Sequence, residues 1–179
     1  MSGKIKTAIV LIDVQGKLAE IMFKSVGLLN NLEKLIKGAN LLEIPIIWTE
    51  QLPNKLGNTT PRISKLLEAQ NPIIKSEFSC HKNATFFEFI TRKKFNRFLL
   101  CGIETHICVY QTAKDLLKEG HKVEIIGDAT SSRTEQNKQI GIAQMTSLGA
   151  KLTSVEMLLF EKQKIALGSK FKDLIEIIK

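Results

Sequence analysis

Three side chains of the sequence could together attack a carbonyl group: Asp13, Lys75 and Cys108. A thiolate is the attacking group, and a neighbouring carboxylate can accept the thiol proton and later activate water. A lysine ammonium beside them favours both anionic groups electrostatically. Each residue type also has an ordinary structural use, because aspartate caps turns, lysine covers solvated surfaces and most free cysteines are small core residues. The chemistry therefore depends on whether the fold brings the three together.

Cys108 belongs to a segment, residues 98–113, that begins as an apolar strand-like run, breaks at Gly102 and continues with helical periodicity. The hydroxyl of Thr105 is expected to cap this helix, which places Cys108 in the first turn. Backbone N–H groups there are unpaired and make the local potential positive. We therefore expect a lowered pKa for the Cys108 thiol, although the same pattern also fits a small buried cysteine on a core helix.

The elements that would position these residues alternate between strands and helices along the chain. Apolar runs predict strands near residues 7–12, 44–48, 72–74, 95–101, 122–127 and 150–153. Amphipathic spacing and N-caps at Asn83 and Ser132 predict helices near residues 27–43, 61–69, 83–90, 132–148 and 171–178. The alternation predicts an α/β fold of three layers, α/β/α, around a mostly parallel, about six-stranded Rossmann-like sheet.

The three candidate residues each come at or just after the end of a different predicted strand. Ligands of such sheets bind beyond the carboxyl ends of the strands, near the point where the strand order reverses. We therefore expect Asp13, Lys75 and Cys108 to meet at one edge of the sheet.

Composition is typical of a globular chain, and we expect residues 1–179 to form one domain. Hydrophobic residues make up 44% and charged residues 25%, which suffices for a closed core. The net charge of +8 comes mostly from dispersed lysines, without an aromatic platform or recognition helix, so we expect no nucleic-acid partner. No stretch approaches a membrane span, and the apolar run at residues 8–12 is too short for a signal peptide. The cysteines form no disulfide framework, which favours a reducing cytoplasm.

Several short motifs follow one another along the chain. They are Asp13-Val14-Gln15 after the first strand, Lys75 after the third, Gly102-Ile103-Glu104-Thr105-His106-Ile107-Cys108-Val109, and Gly127-Asp128-Ala129 ahead of Ser131-Ser132-Arg133. In these motifs and their order the sequence resembles the isochorismatase-like family of cysteine hydrolases, over about residues 8–160. The segment from Thr49 to Pro53, with Leu56-Gly57, resembles the isochorismatase-domain-containing branch of that family.

The resemblance implies that Asp13, Lys75 and Cys108 form a catalytic triad. It also implies a cis peptide bond between Ile103 and Glu104, and we expect the backbone N–H groups of Glu104 and Cys108 to form an oxyanion hole. The expected reaction is metal-independent hydrolysis of a small amide, carbamoyl or related carbonyl compound through a thioester, with no cofactor. Members of the family commonly form homo-oligomers, which we expect here too. The substrate pocket is expected to be lined by Gln15, Gln51, Phe78 and Tyr110.

A metal site is not expected from the sequence. Nicotinamidases share the triad and carry an Asp-x-His pair after the second strand, where this sequence has Thr49-Glu50-Gln51. The histidines His81, His106 and His121 show no ligand spacing. The siderophore-pathway isochorismatases lack the nucleophilic cysteine, so Cys108 also argues against isochorismate cleavage.

Other functions remain open at this point. One is a non-catalytic binding or scaffold protein that keeps the fold, and another is a nicotinamidase-type amidase. A flavodoxin-like nucleotide-binding domain is disfavoured, because Asp13-Val14-Gln15-Gly16-Lys17 stands where a Gly-rich phosphate loop would be needed.

Overall fold

Six β-strands form one parallel sheet in the computed structural model, which describes residues 5–179. The strands are β1 (Thr7–Ile12), β2 (Ile46–Gln51), β3 (Ile73–Lys75), β4 (Arg97–Ile103), β5 (Lys122–Ser131) and β6 (Lys151–Thr153). They lie in the order β3-β2-β1-β4-β5-β6, and every neighbouring pair is parallel. The prediction of a six-stranded α/β fold is confirmed. The strand order reverses between β1 and β4, where such sheets bind ligands.

Helices cover both faces of the sheet. They are α1 (Gly16–Glu20), α2 (Ser25–Leu41), α3 (Pro53–Leu56), α4 (Pro61–Ser64), α5 (Ala84–Lys93), α6 (Tyr110–Lys118), α7 (Glu135–Ser147), α8 (Val155–Gln163) and α9 (Ser169–Ile178). A 3₁₀ turn, Cys80–Lys82, precedes α5, and a π-helical turn, Thr105–Val109, leads directly into α6. Helices α2, α8 and α9 pack on one face, and α5, α6 and α7 on the other. No helix of residues 5–179 is long and apolar enough to cross a membrane.

Strand β1 shows why an unbroken apolar run can form a strand. Its side chains alternate between the two faces, so that Ile9 and Leu11 join one hydrophobic cluster while Val10 and Ile12 join the other. All four are at most 1% exposed. A strand buried on both faces needs apolar residues at every position.

Strand β2 extends further than the sequence predicted. Thr49, Glu50 and Gln51 lie beyond the strand predicted at residues 44–48, yet they pair in register with Ile73, Ile74 and Lys75 of β3. The backbone pairing with β3 overrides the polar character of these residues, as tertiary context often does. The extension has a functional consequence, because it brings Gln51 directly opposite Lys75.

Two helix starts differ from the prediction, although each has a local cap: the hydroxyl of Thr134 for α7, and for α8 the hydroxyl of Ser154, which accepts from the N–H of Met157 at 3.2 Å. Helix α7 is capped by Thr134, whose hydroxyl accepts from the N–H of Asn137, while the predicted cap Ser132 bonds instead to His106 Nδ1 at 2.9 Å. Helix α8 was not predicted. Its first N–H group, at Val155, is bonded by Asp128 Oδ1 at 2.9 Å across 27 positions of sequence.

Helices α1 and α3 were also not predicted, whereas the others follow the prediction more closely. Asn83 caps α5 as predicted. The helix predicted over residues 61–69 is limited to Pro61–Ser64 and continues as turns, in which the N–H groups of Leu66 and Leu67 bond to carbonyls three residues earlier.

Gly102 marks the closest approach of β4 to β1. Its φ angle is +100°, and a Cβ atom added there would lie 2.1 Å from the carbonyl oxygen of Ile12. Only glycine reaches this conformation without a clash, because both the φ value and the neighbouring backbone exclude a side chain. Gly102 thus lies within β4 and not at its end, where the sequence predicted a break, and the packing against β1 is what requires a glycine there.

We predict that Gly102→Ala lowers the free energy of unfolding by at least about 2 kcal/mol, because it adds both backbone strain and a clash with fixed backbone. Gly27→Ala is the matched control. It lies within α2 with no atom inside 4 Å of the added Cβ, so it should raise stability by about 0.5–1 kcal/mol. Urea denaturation measures both, and equal midpoints for the two variants would contradict the packing argument.

Candidate active site

The parallel register of β1, β2 and β3 brings polar residues together at their carboxyl ends. Ile12, the last residue of β1, lies opposite Thr49 of β2, and Gln51 of β2 lies opposite Lys75 of β3. Asp13 follows Ile12 directly. Side chains two residues apart on a strand share a face, so Thr49 and Gln51 point to the same side of the sheet.

Asp13 is oriented by an unusual backbone conformation. Its φ angle of +51° breaks the alternation of β1, and aspartate is one of the few residue types that tolerate this region. The carboxylate is 3% exposed and both of its oxygens are engaged. Oδ1 accepts from the hydroxyl of Thr49 at 2.7 Å, and Oδ2 accepts from Lys75 Nζ at 2.6 Å. Asp13 is thus fixed in position and paired with a cation.

Lys75 is a buried cation with four acceptors. Besides Asp13, its ammonium donates to Gln51 Oε1 at 3.2 Å and to the carbonyls of Glu77 and Phe78 at 3.0 and 3.4 Å. Burial lowers the pKa of Lys75, but the Cys80 thiolate (at the high pH where that thiol ionises), the charge and hydrogen bond of Asp13 and the Cys108 thiolate together outweigh burial and leave that pKa raised. Lys75 therefore carries its charge, and its contacts are structural as well as electrostatic.

Cys108 lies in the π-helical turn beside this pair. Its Sγ donates to Gln51 Oε1 at 3.2 Å, and the residue is 6% exposed. Burial raises the pKa of the thiol, the Asp13 charge raises it further, and Lys75 lowers it by less. The expectation of a lowered pKa is therefore wrong, because burial and a nearby carboxylate outweigh the cation. Cys108 rests as a thiol.

The helix start near Cys108 also differs from the prediction. The expected cap, the hydroxyl of Thr105, is fully buried and bonds to the hydroxyl of Thr130 at 3.0 Å. The N-cap position belongs to Glu104, which makes no side-chain capping bond. A hydroxyl that packs against β5 cannot also cap its own helix.

Glu104 occupies the junction between β4 and the π-helical turn. The peptide bond between Ile103 and Glu104 is cis. The Glu104 carboxylate is buried and accepts from the backbone N–H of Arg133 at 3.1 Å and from its Nε at 3.2 Å. Its carbonyl accepts from the N–H groups of Ile107 and Val109 at 3.0 and 3.2 Å. These contacts fix the peptide on which the expected oxyanion hole depends.

Gln15 clamps the end of β2. Its Oε1 accepts from the N–H of Gln51 at 2.6 Å, and its Nε2 donates to the Gln51 carbonyl at 3.1 Å and to the Gly57 carbonyl at 2.6 Å. Gln15 is fully buried. It therefore reaches the site through the backbone of Gln51, which in turn contacts Lys75 and Cys108.

Phe78 and Tyr110, the other two residues expected to line the pocket, lie at a cavity of about 520 Å³. The cavity separates the segment at residues 77–82 from the start of α6. Phe78 is half exposed, and its carbonyl accepts from Lys75. The structure thus places Phe78 beside Lys75, whereas Gln15 and Gln51 do not line this cavity.

Two residues of the site, Thr49 and Cys80, were not identified from the sequence. Thr49 bonds to Asp13 and also lies 3.9 Å from Cys80 Sγ. Cys80 is fully buried, its N–H donates to the Thr112 hydroxyl at 2.9 Å, and burial raises the pKa of its thiol to about 11. Thr49 lies two residues before Gln51, so the two side chains share a face if both residues belong to β2. Because the predicted strand ended at residue 48, that spacing was not used.

The residues at the nicotinamidase metal positions do not fit a metal here. Thr49 bonds to Asp13, Gln51 bonds to Lys75, and Glu50 Oε1 accepts from the N–H of Thr59 at 2.6 Å. Within residues 5–179 no group of three or more His, Cys, Asp or Glu side chains could hold a metal ion. The three histidines make other contacts. The ring of His81 packs edge-on against Phe87, and that of His121 against Phe98, while His106 Nδ1 bonds to the Ser132 hydroxyl.

The isochorismatase domain model matches residues 7–157. The chain belongs to the isochorismatase family. It is 33% identical over 178 residues to isochorismatase family protein 1B of Dictyostelium discoideum, a match that covers 97% of this chain and 86% of that relative. The fold is accordingly the hydrolase fold of this family.

Solved structures agree with this assignment. A MAR1 ribonuclease from Caenorhabditis elegans is 34% identical with a TM-score of 0.87, covering 97% of this chain and 89% of that one. YcaC from Escherichia coli, an octameric hydrolase of unknown specificity, shares the fold at 19% identity with a TM-score of 0.89, covering 99% and 91%.

We predict that Lys75→Met destabilises the protein by about 3–5 kcal/mol, because it leaves the Asp13 carboxylate buried without its cation. The double variant Asp13→Asn/Lys75→Met should be more stable than Lys75→Met alone, since no charge is then left unpaired. Urea unfolding of the two single variants and the double variant forms the cycle. A Lys75→Met protein as stable as the wild type would show that the pair adds nothing to the fold.

Proposed function

We propose that the protein is a metal-independent cysteine hydrolase that acts on a small amide, carbamoyl or related carbonyl compound. Cys108 is the nucleophile, Asp13 the general base and acid, and Lys75 the electrostatic partner of both. The observation that carries the proposal is the buried cluster at the strand ends. Lys75 Nζ lies 2.6 Å from Asp13 there, and Gln51 Oε1 lies 3.2 Å from both Lys75 Nζ and Cys108 Sγ.

Acylation begins when Asp13 accepts the thiol proton. Sγ attacks the carbonyl carbon, a C–S bond forms, and the π electrons of the carbonyl move to its oxygen. The N–H groups of Glu104 and Cys108 donate to this oxyanion. When the intermediate collapses, the C–N bond breaks, Asp13 returns the proton to the leaving nitrogen, and Cys108 carries a thioester.

Deacylation reverses the proton path with water as the co-reactant. Asp13 accepts a proton from water, and the water oxygen attacks the thioester carbon. The C–S bond then breaks, and Asp13 returns the proton to sulfur. Lys75 stays protonated throughout, because the anionic neighbours that raise its pKa favour the charged form.

A second candidate function is ribonuclease activity. The C. elegans relative named a ribonuclease is 34% identical, and this chain has a net charge of +8. A small substrate is the better match, because Asp13, Lys75 and Cys108 are each at most 6% exposed and a nucleic-acid backbone is bulky. A non-catalytic scaffold would not need the buried Asp13 carboxylate, bonded through both oxygens, in the same cluster as the Cys108 thiol.

Assembly and location complete the proposal. We propose a homo-oligomer, supported by the octameric YcaC relative and by three half-exposed apolar side chains, Ile74, Phe78 and Phe87; sedimentation as a monomer at micromolar concentration would refute it.

We propose a cytoplasmic location because all three cysteines are free. Recovery of the protein only from the secreted fraction of its cells would contradict that location.

We predict that the purified protein releases ammonia from at least one member of a panel of small primary amides and carbamoyl compounds. Cys108→Ala should lower that rate by at least about 1,000-fold, because it removes the thiol that forms the thioester. Cys101→Ala is the control, since Cys101 is buried in β4 with its thiol on the Val10 carbonyl at 3.5 Å.

Three outcomes of this assay would count against the proposal. One is undiminished turnover by Cys108→Ala, and another is equal loss in both cysteine variants. The third is cleavage of an RNA substrate by the wild type with no amide hydrolysed, which would favour the ribonuclease instead.

A further inference from the structure

The side chain of Gln51 contacts two members of the triad through one atom. Its Oε1 accepts from Lys75 Nζ at 3.2 Å and from Cys108 Sγ at 3.2 Å. The steps of hydrolysis given above make no use of this residue. Gln51 is 9% exposed, so the shared oxygen lies inside the protein rather than in bulk water.

The chemistry of Lys75 fixes which way the Gln51 amide points. An ammonium group only donates, so the atom that faces it must be the amide oxygen and not the nitrogen. The same oxygen can only accept from Cys108, which must therefore supply an S–H. A Cys108 thiolate in this position would be repelled, because its negative sulfur would face the lone pairs of Gln51 Oε1 at 3.2 Å.

The base of the Gln51 side chain is held rigidly. Gln15 bonds to both the N–H and the carbonyl of Gln51, and β2 pairs with Lys75 of β3 at the same position. The amide oxygen can therefore move away from Cys108 only by rotation of the Gln51 side chain itself.

We propose that Gln51 is a positioning residue that holds the thiol proton of Cys108 in the resting protein, and that its amide oxygen must leave Sγ before Asp13 can take that proton. Binding of the substrate carbonyl group beside Sγ would be the event that displaces it. The inference rests on the proposed function only in taking Cys108 as the nucleophile.

Other groups also affect the pKa of the Cys108 thiol, and the test must distinguish their effects from that of Gln51. Asp13, after β1, and Cys80, in the 3₁₀ turn, raise the pKa of Cys108, whereas Lys75 of β3 lowers it. Burial of the thiol raises the pKa most. Variants of Gln51 leave Asp13 and Cys80 in place, but they also change an acceptor of Lys75 and the burial of the thiol. The amide oxygen is therefore identified by opposite shifts in the alanine and glutamate variants, not by a single shift.

The test is the pH profile of Cys108 alkylation by iodoacetamide, measured from pH 6 to 10 by peptide mass spectrometry. Gln51→Ala removes the acceptor of the S–H, so we expect the profile to move to lower pH by about one unit. Gln51→Glu replaces the amide by a carboxylate, so we expect alkylation at pH 8 to slow by about tenfold. Gln51→Asn shortens the side chain by one methylene and moves the amide oxygen away from Sγ. Its alkylation profile should shift in the same direction as that of Gln51→Ala, which it replaces if the alanine variant is poorly folded.

Two controls accompany the variants. Gln139→Ala, on the exposed surface of α7, should keep the wild-type profile. Cys101, fully buried, should stay unmodified in every variant. Thermal melting shows which variants are folded.

The proposal is overturned if Gln51→Ala and Gln51→Asn both keep the wild-type profile. It is also overturned if the alanine and glutamate variants shift in the same direction, as a merely loosened site would. Because no substrate enters this test, an unchanged profile together with Cys108-dependent ammonia release would reject the role of Gln51 alone. A shifted profile without hydrolysis of any compound would reject the hydrolase instead.

Discussion

The buried ion pair between Asp13 and Lys75 is the interaction on which the candidate site depends. Taking two charges out of water costs several kcal/mol for each ion, and only good geometry with further hydrogen bonds offsets that cost. Here the two groups are 2.6 Å apart, the Thr49 hydroxyl bonds to the second carboxylate oxygen, and backbone carbonyls bond to the ammonium. The pair is neutral as a whole, so a Cys108 thiolate would add an uncompensated negative charge.

This charge balance explains why a resting thiol suits the proposed chemistry. When the proton passes from Cys108 to Asp13, the negative charge moves from carboxylate to sulfur and the total stays the same. Lys75 then faces the thiolate instead of a carboxylate. The low-dielectric surroundings that raise the pKa of Cys108 at rest do not oppose this transfer, because no net charge is created.

The sequence predicted the parallel α/β sheet correctly because buried strands must be apolar on both faces, as in β1. It also led to the three strand ends at which Asp13, Lys75 and Cys108 are found. What it could not show depends on contacts between distant residues. The contact of Thr49 with Asp13 and the position of Gln51 opposite Lys75 became visible only through the pairing of β2 with β3, and the Thr105 hydroxyl bonds to Thr130 instead of capping its helix. The pKa of Cys108 was misjudged because burial cannot be read from a helix start.

The central claim is that Cys108 forms an acyl thioester with the help of Asp13. Brief reaction with p-nitrophenyl acetate, an activated ester, tests this directly without knowledge of the natural substrate. We expect a burst of about one p-nitrophenolate per chain, an acetyl group on the Cys108 peptide that hydroxylamine removes, and a slower burst for Asp13→Asn. Acetyl groups found only on surface lysines, with Cys108 unmodified, would contradict it.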